Sequence, residues 1–246
     1  MLDGAARLGP MVAEAARLEM PAIAVTDHGN TFAAYEFYKA ANDAGIKPII
    51  GIEAYVTPGT HRSDRSRVRW GGPDQNDDDV SGAYTHMTLL SETTEGMHNL
   101  FRLSSKASLE GYYFKPRMDR EILQTYSKGL IATTGCPSGE VQTRLRLGQY
   151  DAARAAAAEF QDLFGRENYF AEIMDHGLSI ERRVMSDLLK LSKDLSIPLI
   201  ATNDSHYTHQ HDANSHAALL CVQSGSTLDD PKRFKFDGDG YYIKSP

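Results

Sequence analysis

Only two cysteines, Cys136 and Cys221, occur in the 246 residues, and they lie far apart. A disulfide framework is thereby excluded, and a reducing compartment, the cytoplasm, is the simpler expectation. No apolar run approaches the roughly 18 residues that a membrane span needs, so no membrane is expected as a partner. The start, Met1-Leu2-Asp3-Gly4-Ala5-Ala6-Arg7, lacks the basic segment and apolar stretch of a secretory signal. Positive charge is also in deficit: 26 Lys+Arg against 33 Asp+Glu leave a net charge of −7. A protein that grips nucleic acid with its whole surface leans the other way. Any contact with nucleic acid must then be local, or lie on parts outside this chain. What is present is ordinary for a globular protein, 41% hydrophobic and 24% charged residues, which excludes collagen-like, low-complexity and wholly disordered chains. The length is enough to bury a sizeable core.

Strand-like and helix-like patterns alternate. Ala22–Thr26 is a β-branched apolar run followed by Asp27-His28-Gly29-Asn30; Ala34, Phe37, Tyr38 and Ala41 then recur at helical spacing up to Gly45. Pro48–Val56, Tyr84–Leu90, Leu130–Thr133, Tyr169–Ile173 and Pro198–Thr202 are the further predicted strands. Helices are predicted through Met97–Leu103, Ala153–Leu163, Ile180–Leu191 with Ser179 as N-cap, and Ala213–Val222. Continuous apolar strands imply burial on both faces, and their alternation with helices implies a mostly parallel α/β sheet. Such a sheet carries its functional groups at the carboxyl ends of its strands. Thr57–Gly82, with Arg62, Arg65, Arg67 and Arg69, then Gly71-Gly72-Pro73 and Asp77-Asp78-Asp79, has few aliphatic residues and is expected to be a long, mobile surface loop.

Those strand ends carry a recurrent chemistry. Asp27 and His28 follow the first strand, Glu53 lies in the second and His86 in the third. Cys136 follows the fourth, Glu172 lies in the fifth ahead of Asp175-His176, and Asp204 and His206 follow the sixth. Asp, Glu, His and Cys are the ligand types of zinc and other divalent first-row metals. A carboxylate-bridged metal pair is the usual hydrolytic arrangement for phosphate esters. Each residue alone has a plainer reading, an N-cap for Asp27 or a small core hydrophobe for Cys136; their joint recurrence favours metal. His61 and His98 read as solvated, His209, His211 and His216 as capping or surface groups, Cys221 as core, and His176 stays open.

At this point the sequence resembles a family. Thr26-Asp27-His28-Gly29-Asn30, Gly51-Ile52-Glu53-Ala54-Tyr55, Thr85-His86-Met87-Thr88-Leu89-Leu90, Thr134-Gly135-Cys136 and Thr202-Asn203-Asp204-Ser205-His206-Tyr207 resemble motifs of the polymerase-and-histidinol-phosphatase (PHP) domain. Met1-Leu2-Asp3-Gly4 and Tyr241-Tyr242-Ile243-Lys244-Ser245 resemble the version at the N-terminus of bacterial replicative DNA polymerase III alpha subunits.

The resemblance implies a distorted (β/α)7 barrel with up to three divalent metals in its mouth, zinc first and Mn2+ or Mg2+ as alternatives. Carried over by motif, Glu53, His86 and Cys136 hold one metal and Asp3, His28 and His206 a second. Glu53 and Asp204 belong to the third, together with a His-x-His pair on a first strand expected to precede Met1. Glu53, Asp204 and His206 are the candidate catalytic residues. Residues 1–224 are expected to form the PHP domain, short of its first strand, and residues 225–246 to begin the connection to a polymerase core. The implied activity in the intact protein is 3′–5′ proofreading by phosphodiester hydrolysis at a DNA primer 3′ end; the chain alone is expected to be inactive. The implied partners are the sliding clamp and other replisome subunits, through other parts of that protein. The alternatives are a free-standing phosphomonoesterase of the histidinol phosphate type and a non-catalytic scaffold for a separate exonuclease.

Overall fold

A computed structural model describes residues 3–70 and 81–245. Its elements run α1 (Leu8–Arg17), β1 (Ala22–His28), α2 (Ala34–Asp43), β2 (Lys47–Val56), β3 (Val68–Arg69), β4 (Ser81–Gly82), β5 (Thr85–Ser91), α3 (Thr94–Glu110), β6 (Arg117–Met118), α4 (Arg120–Tyr126), β7 (Leu130–Thr133), α5 (Glu140–Arg146), α6 (Tyr150–Phe164), β8 (Tyr169–Ile173), α7 (Ser179–Leu195), β9 (Leu199–Ala201) and α8 (Ala213–Ser224). The main sheet has the order β1-β2-β5-β7-β8-β9, with β6 added beside β2, and it curls into a half-barrel. The expected α/β class is found, with the sheet curled as a half-barrel.

The sheet is parallel from β1 to β2 and from β7 through β8 to β9, but β5 runs antiparallel to both β2 and β7. The sheet is mostly parallel, as expected; β5 is the exception, and the cause is local. A parallel return requires a crossover element, whereas the described residues between β2 and β5 contain only the short β3–β4 pair. The reversal has a consequence for chemistry: the mouth of the half-barrel receives the carboxyl ends of the parallel strands and the amino end of β5, where His86 lies.

Packing follows the sequence periods. Leu100, Leu103 and Ala107 of α3, Ala153, Ala157 and Phe160 of α6, and Val184, Leu188 and Leu191 of α7 are buried at helical spacing against Ile52, Ala54, Leu89, Ala132, Tyr169 and Ala171 of the strands. Full burial of a side chain the size of Leu stabilises by about 1.5–3 kcal/mol, so this interface holds the sheet's curvature. The two edge strands depart from the expected burial on both faces. Ala24 and Thr26 of β1 and Leu199 and Ala201 of β9 are exposed, because neither strand has a second neighbour among the described residues.

Two local expectations also change. Helix α7 starts on Ser179 itself, and the Glu181 carboxylate caps it by accepting from the N–H groups of His176 (2.8 Å) and Leu178 (3.3 Å). The segment expected to be a solvated loop carries buried anchors. Arg62 is buried, with Nη1 3.0 Å from Asp119 Oδ2 and Nη2 2.6 Å from Glu110 Oε2; Trp70 is buried beneath the Arg144 guanidinium, 4.7 Å from its ring centre. Gly71, Gly72, Pro73 and Asp77-Asp78-Asp79 lie outside the described residues. So do Met1 and Leu2.

Candidate metal centre

The β1–β2 register sets His28 directly opposite Glu53, and the β2–β5 register sets Tyr55 opposite His86. The three ligand-type side chains meet at the mouth. His86 Nδ1 is 2.6 Å from Glu53 Oε1, and the other Glu53 oxygen abuts His28 Nδ1. On its far side His28 Nε2 is 2.8 Å from Asp3 Oδ1. Cys136 Sγ completes the row, 3.6 Å from His86 Nδ1 and 4.0 Å from Glu53 Oε1.

Two glycines make this approach possible. Gly135, at φ +78°, would place a Cβ 2.8 Å from the His86 carbonyl oxygen, so only glycine lets the Cys136 loop lie against β5. Gly29, at φ +64°, would place one 2.6 Å from Pro116 Cγ and 2.9 Å from the Tyr55 ring.

Asp204 and His206 arrive from the loop after β9. Asp204 takes a left-handed φ of +44°, and its carbonyl oxygen lies 2.7 Å from His206 Nδ1, which leaves Nε2 for the mouth. The His206 carbonyl accepts from the N–H groups of Ala5 (2.7 Å) and Ala6 (3.0 Å), so the segment that carries Asp3 is tied to the loop that carries His206. From the other side Tyr241 accepts the His206 N–H at 2.8 Å, and the Asn203 side chain donates to the Gly240 (2.9 Å) and Tyr242 (2.6 Å) carbonyls.

Two clusters result, Asp3 with His28 and His206, and Glu53 with His86 and Cys136; within each, the donor atoms lie within 4.8 Å of one another. Asp204 enters neither cluster, although it feels the charge of Glu53. The donors are nitrogen, oxygen and sulfur, the set that suits zinc and its neighbours. His28 Nδ1 is buried with a Glu53 carboxylate oxygen as its close neighbour, a nitrogen and an oxygen donor brought together as two ligands of one ion are. The residues present therefore fit divalent metal. A third cluster, His61 with Asp119 and Glu121, lies on the outside and is occupied by the Arg62 guanidinium.

The electrostatics belong to a crowded acid–base centre. Burial opposes charge on His28, but hydrogen bonds to Asp3 and Glu53 outweigh it and push the imidazole up to about 10. Burial likewise opposes charge on Glu53, yet His28 and His86 hold its carboxyl well below the usual carboxylate range. The Cys136 thiol is pushed well up by burial and by Glu53. Asp204 is raised by removal from bulk water, with Glu53 adding to this and His206 opposing.

The profile of the PHP domain matches residues 1–176. The chain belongs to the PHP domain family. Among its relatives, the DNA polymerase III subunit alpha of Saccharopolyspora erythraea is 61% identical over 254 residues, covering 100% of this chain and 21% of that protein. The protein of the same description from Mycobacterium tuberculosis H37Rv is 59% identical over 248 residues, with 100% and 21% covered. The PHP chain thus spans about a fifth of the length of the curated relatives it matches. A solved structure, an amidohydrolase from Chromobacterium violaceum with bound sulfate and no metal, aligns at a TM-score of 0.49 and 14% identity, covering 84% of each chain.

Sequence reasoning misread one residue that supports this PHP centre and left the roles of two others, His176 and Glu172, unassigned. His216, read as a surface or capping group, is 2% exposed and donates from Nε2 to the Asp3 carbonyl at 2.7 Å. His176 is fixed between Glu181 Oε1 (2.5 Å) and the Asn203 carbonyl (2.7 Å), so it steadies the Asp204 loop. Glu172 is buried below the mouth and accepts from Thr133, from Thr202 at 2.5 Å and from Thr88 at 3.5 Å. It ties β5, β7, β8 and the end of β9 together, and burial raises its pKa. Its place in a strand of ligand-bearing neighbours was the available signal. Asp27, for which an N-cap was the plainer reading, is not the N-cap of α2: that residue is Ala33, and the Asp27 carboxylate accepts the Ala33 N–H at 2.7 Å from β1.

Proposed function

We propose that this chain is the N-terminal PHP region of a DNA polymerase III alpha subunit, acting in DNA replication, and that within the intact protein it hydrolyses phosphodiesters at mispaired primer 3′ ends. The carrying observation is the pair of donor clusters in one mouth, in a chain 61% identical to such a subunit along its whole length.

Asp3, His28 and His206 would hold one divalent ion and Glu53, His86 and Cys136 another, with zinc favoured by the thiolate and imidazole donors. Bound there, such ions supply Lewis acidity toward a phosphoryl oxygen and toward water. The protein's own part is to hold these donors and shape the mouth. Glu53 sits between His28 and His86 and can serve both clusters. Asp204, with its raised pKa, is placed to take or hold a proton beside them. His206, oriented by the Asp204 carbonyl, presents a fixed nitrogen. The partners of this reading are a DNA 3′ end and, through other parts of the longer protein, the sliding clamp and replisome subunits of the cytoplasm.

The test is shortening of a primer with a mismatched 3′ nucleotide by the intact protein, beside its His28→Ala and Asp204→Asn variants. The expected result is metal-dependent removal of the mismatch, lost in both variants while polymerisation continues. Removal that persists in both, or never occurs in the wild type, overturns the exonuclease reading.

A further inference from the structure

Phe114 is one of four described non-glycine residues with positive φ, and the only aromatic among them. Asp204, another, is a ligand-type residue of the mouth. Phe114, at φ +61°, is 66% exposed and its ring meets that of its neighbour Tyr113 at 4.5 Å between centroids, so burial in the core does not explain it. It sits at the apex of a tight hairpin in which the Tyr113 N–H donates to the Lys115 carbonyl (3.0 Å) and the Arg117 N–H to the Gly111 carbonyl (3.4 Å). Gly, Asn or Asp is the usual occupant of such an apex. A bulky exposed ring held in a strained conformation points to a role outside folding.

The hairpin base is anchored by buried hydrogen bonds, and its returning arm lies against residues beside the metal centre. Arg117, 1% exposed, donates to the Gly111 (3.0 Å) and Arg62 (2.7 Å) carbonyls and lies 5.1 Å from the Tyr113 ring centre. Pro116 packs against Gly29, the residue after His28. Lys115 Nζ sits 5.4 Å over the Tyr55 ring, which stacks on His28 and meets His86 edge-on. Among the described residues no carboxylate pairs with Lys115. Tyr112, 62% exposed, extends the aromatic surface.

We propose that Tyr112, Phe114 and Lys115 form a stacking platform for the terminal nucleotides of a single-stranded 3′ end, the rings taking bases and Lys115 a backbone phosphate. Aromatic faces bind any base without sequence preference, and an unpaired lysine beside a metal mouth complements the phosphate next to the one cleaved. A net charge of −7 gives the chain no whole-surface attraction for DNA, so a short local contact of rings and one cation is the form that binding takes here. The identity of the strand end rests on the phosphodiesterase reading above; the stacking itself does not.

The test is fluorescence anisotropy of an octathymidylate and of an abasic octamer with the metal-depleted 246-residue chain. The thymidylate is expected to bind more tightly, with a salt dependence of about one released counterion. Phe114→Ala should weaken it about tenfold and leave the abasic strand unchanged. Phe114→Trp should retain binding, and Lys115→Met should weaken both strands. Phe114→Gly, which relieves the left-handed φ, should match or exceed the wild-type melting temperature yet bind as Phe114→Ala does; a merely structural Phe114 gives the opposite. Equal affinity for the two oligomers, or no effect of Phe114→Ala, overturns the proposal. So does self-association in sedimentation that requires Phe114, which would make the occupant a second copy. A second measurement uses the longer natural protein and an oligomer ending in 5-iododeoxyuridine. Photocrosslinks should map to residues 112–115; crosslinks found only elsewhere overturn the platform. Both measurements are made without metal, so absence of mismatch removal with crosslinking intact counts against the exonuclease reading alone.

Discussion

His28 and Glu53 face each other across the β1–β2 pair, and this one contact joins the two donor clusters. Glu53 also reaches His86, and His28 also reaches Asp3, so four residues from three elements and the N-terminal segment form a continuous chain. Neither cluster is independent of the other.

Removing the link should therefore affect both clusters. His28→Ala is expected to lower bound zinc or manganese by more than the loss of one ion from one site, measured by elemental analysis after dialysis against a metal buffer. Loss confined to a single ion would show that the clusters act separately.

In the metal-free protein the raised His28 pKa makes stability depend on pH. The folded value, about 10, lies above the ordinary 6.5. The stabilisation is thus fully present below about pH 6.5 and is lost as pH rises through about 10. Urea unfolding of EDTA-treated protein should show the wild type losing stability between pH 7 and 10 relative to His28→Gln. With metal bound, a proton no longer occupies the ring nitrogens, and that difference should shrink.

Gly135→Ala should disturb the Cys136 loop. A Cβ 2.8 Å from the His86 carbonyl, at φ +78°, forces backbone movement and is expected to cost about 1–3 kcal/mol. For a chain of this size that is a fall in melting temperature of about 2–4 °C per kcal/mol. Calorimetry checks it; an unchanged melting temperature would mean that the loop shifts freely.

Cys136→Ser should remove sulfur from the second cluster. With Co2+ added to the metal-depleted protein, a thiolate charge-transfer band is expected in the wild type and absent in the variant, since metal binding deprotonates the otherwise neutral thiol. A band of equal strength in both would exclude Cys136 as a ligand.

Glu172→Ala leaves the Thr133 and Thr202 hydroxyls without their buried acceptor. The expected cost is about 1–3 kcal/mol of stability and about 10–100-fold in metal affinity, as for other outer supports of metal ligands. Glu172→Gln, which keeps an acceptor, should recover most of both. Chemical denaturation and metal competition give the two readings.

Much of the fold was legible in the chain's own patterns. Leu130–Thr133 and Tyr169–Ile173 are strands at the predicted bounds, because β-branched and aromatic runs flanked by turn residues leave little alternative. The helices over Ala153–Leu163 and Ile180–Leu191 followed from apolar residues at helical spacing. Helices α4 and α5 went unread: each has seven residues, too few for a periodic signal. Arg62 and Trp70 were hidden for another reason. Their partners, Glu110, Asp119 and Arg144, are distant in sequence, and no local pattern announces a buried guanidinium.

The ligand-type residues were determined by sequence, because strand ends that repeatedly carry Asp, Glu, His or Cys declare themselves residue by residue. Their grouping was implied by the family resemblance and not by any local pattern; its physical cause lies in the tertiary structure. The reversed direction of β5 brings His86 from a strand's beginning to the mouth, and the Gly135 turn sets Cys136 beside it. Backbone pairing between Ala5, Ala6 and His206 brings Asp3 to His28. The roles of His216, His176 and Glu172 were likewise settled by burial, since a histidine or glutamate in a sequence carries no mark of which carbonyl or hydroxyl will enclose it. Side-chain chemistry is local and can be read along the chain, whereas the distance between two side chains depends on strand direction and register, which arise only when the sheet closes around its core.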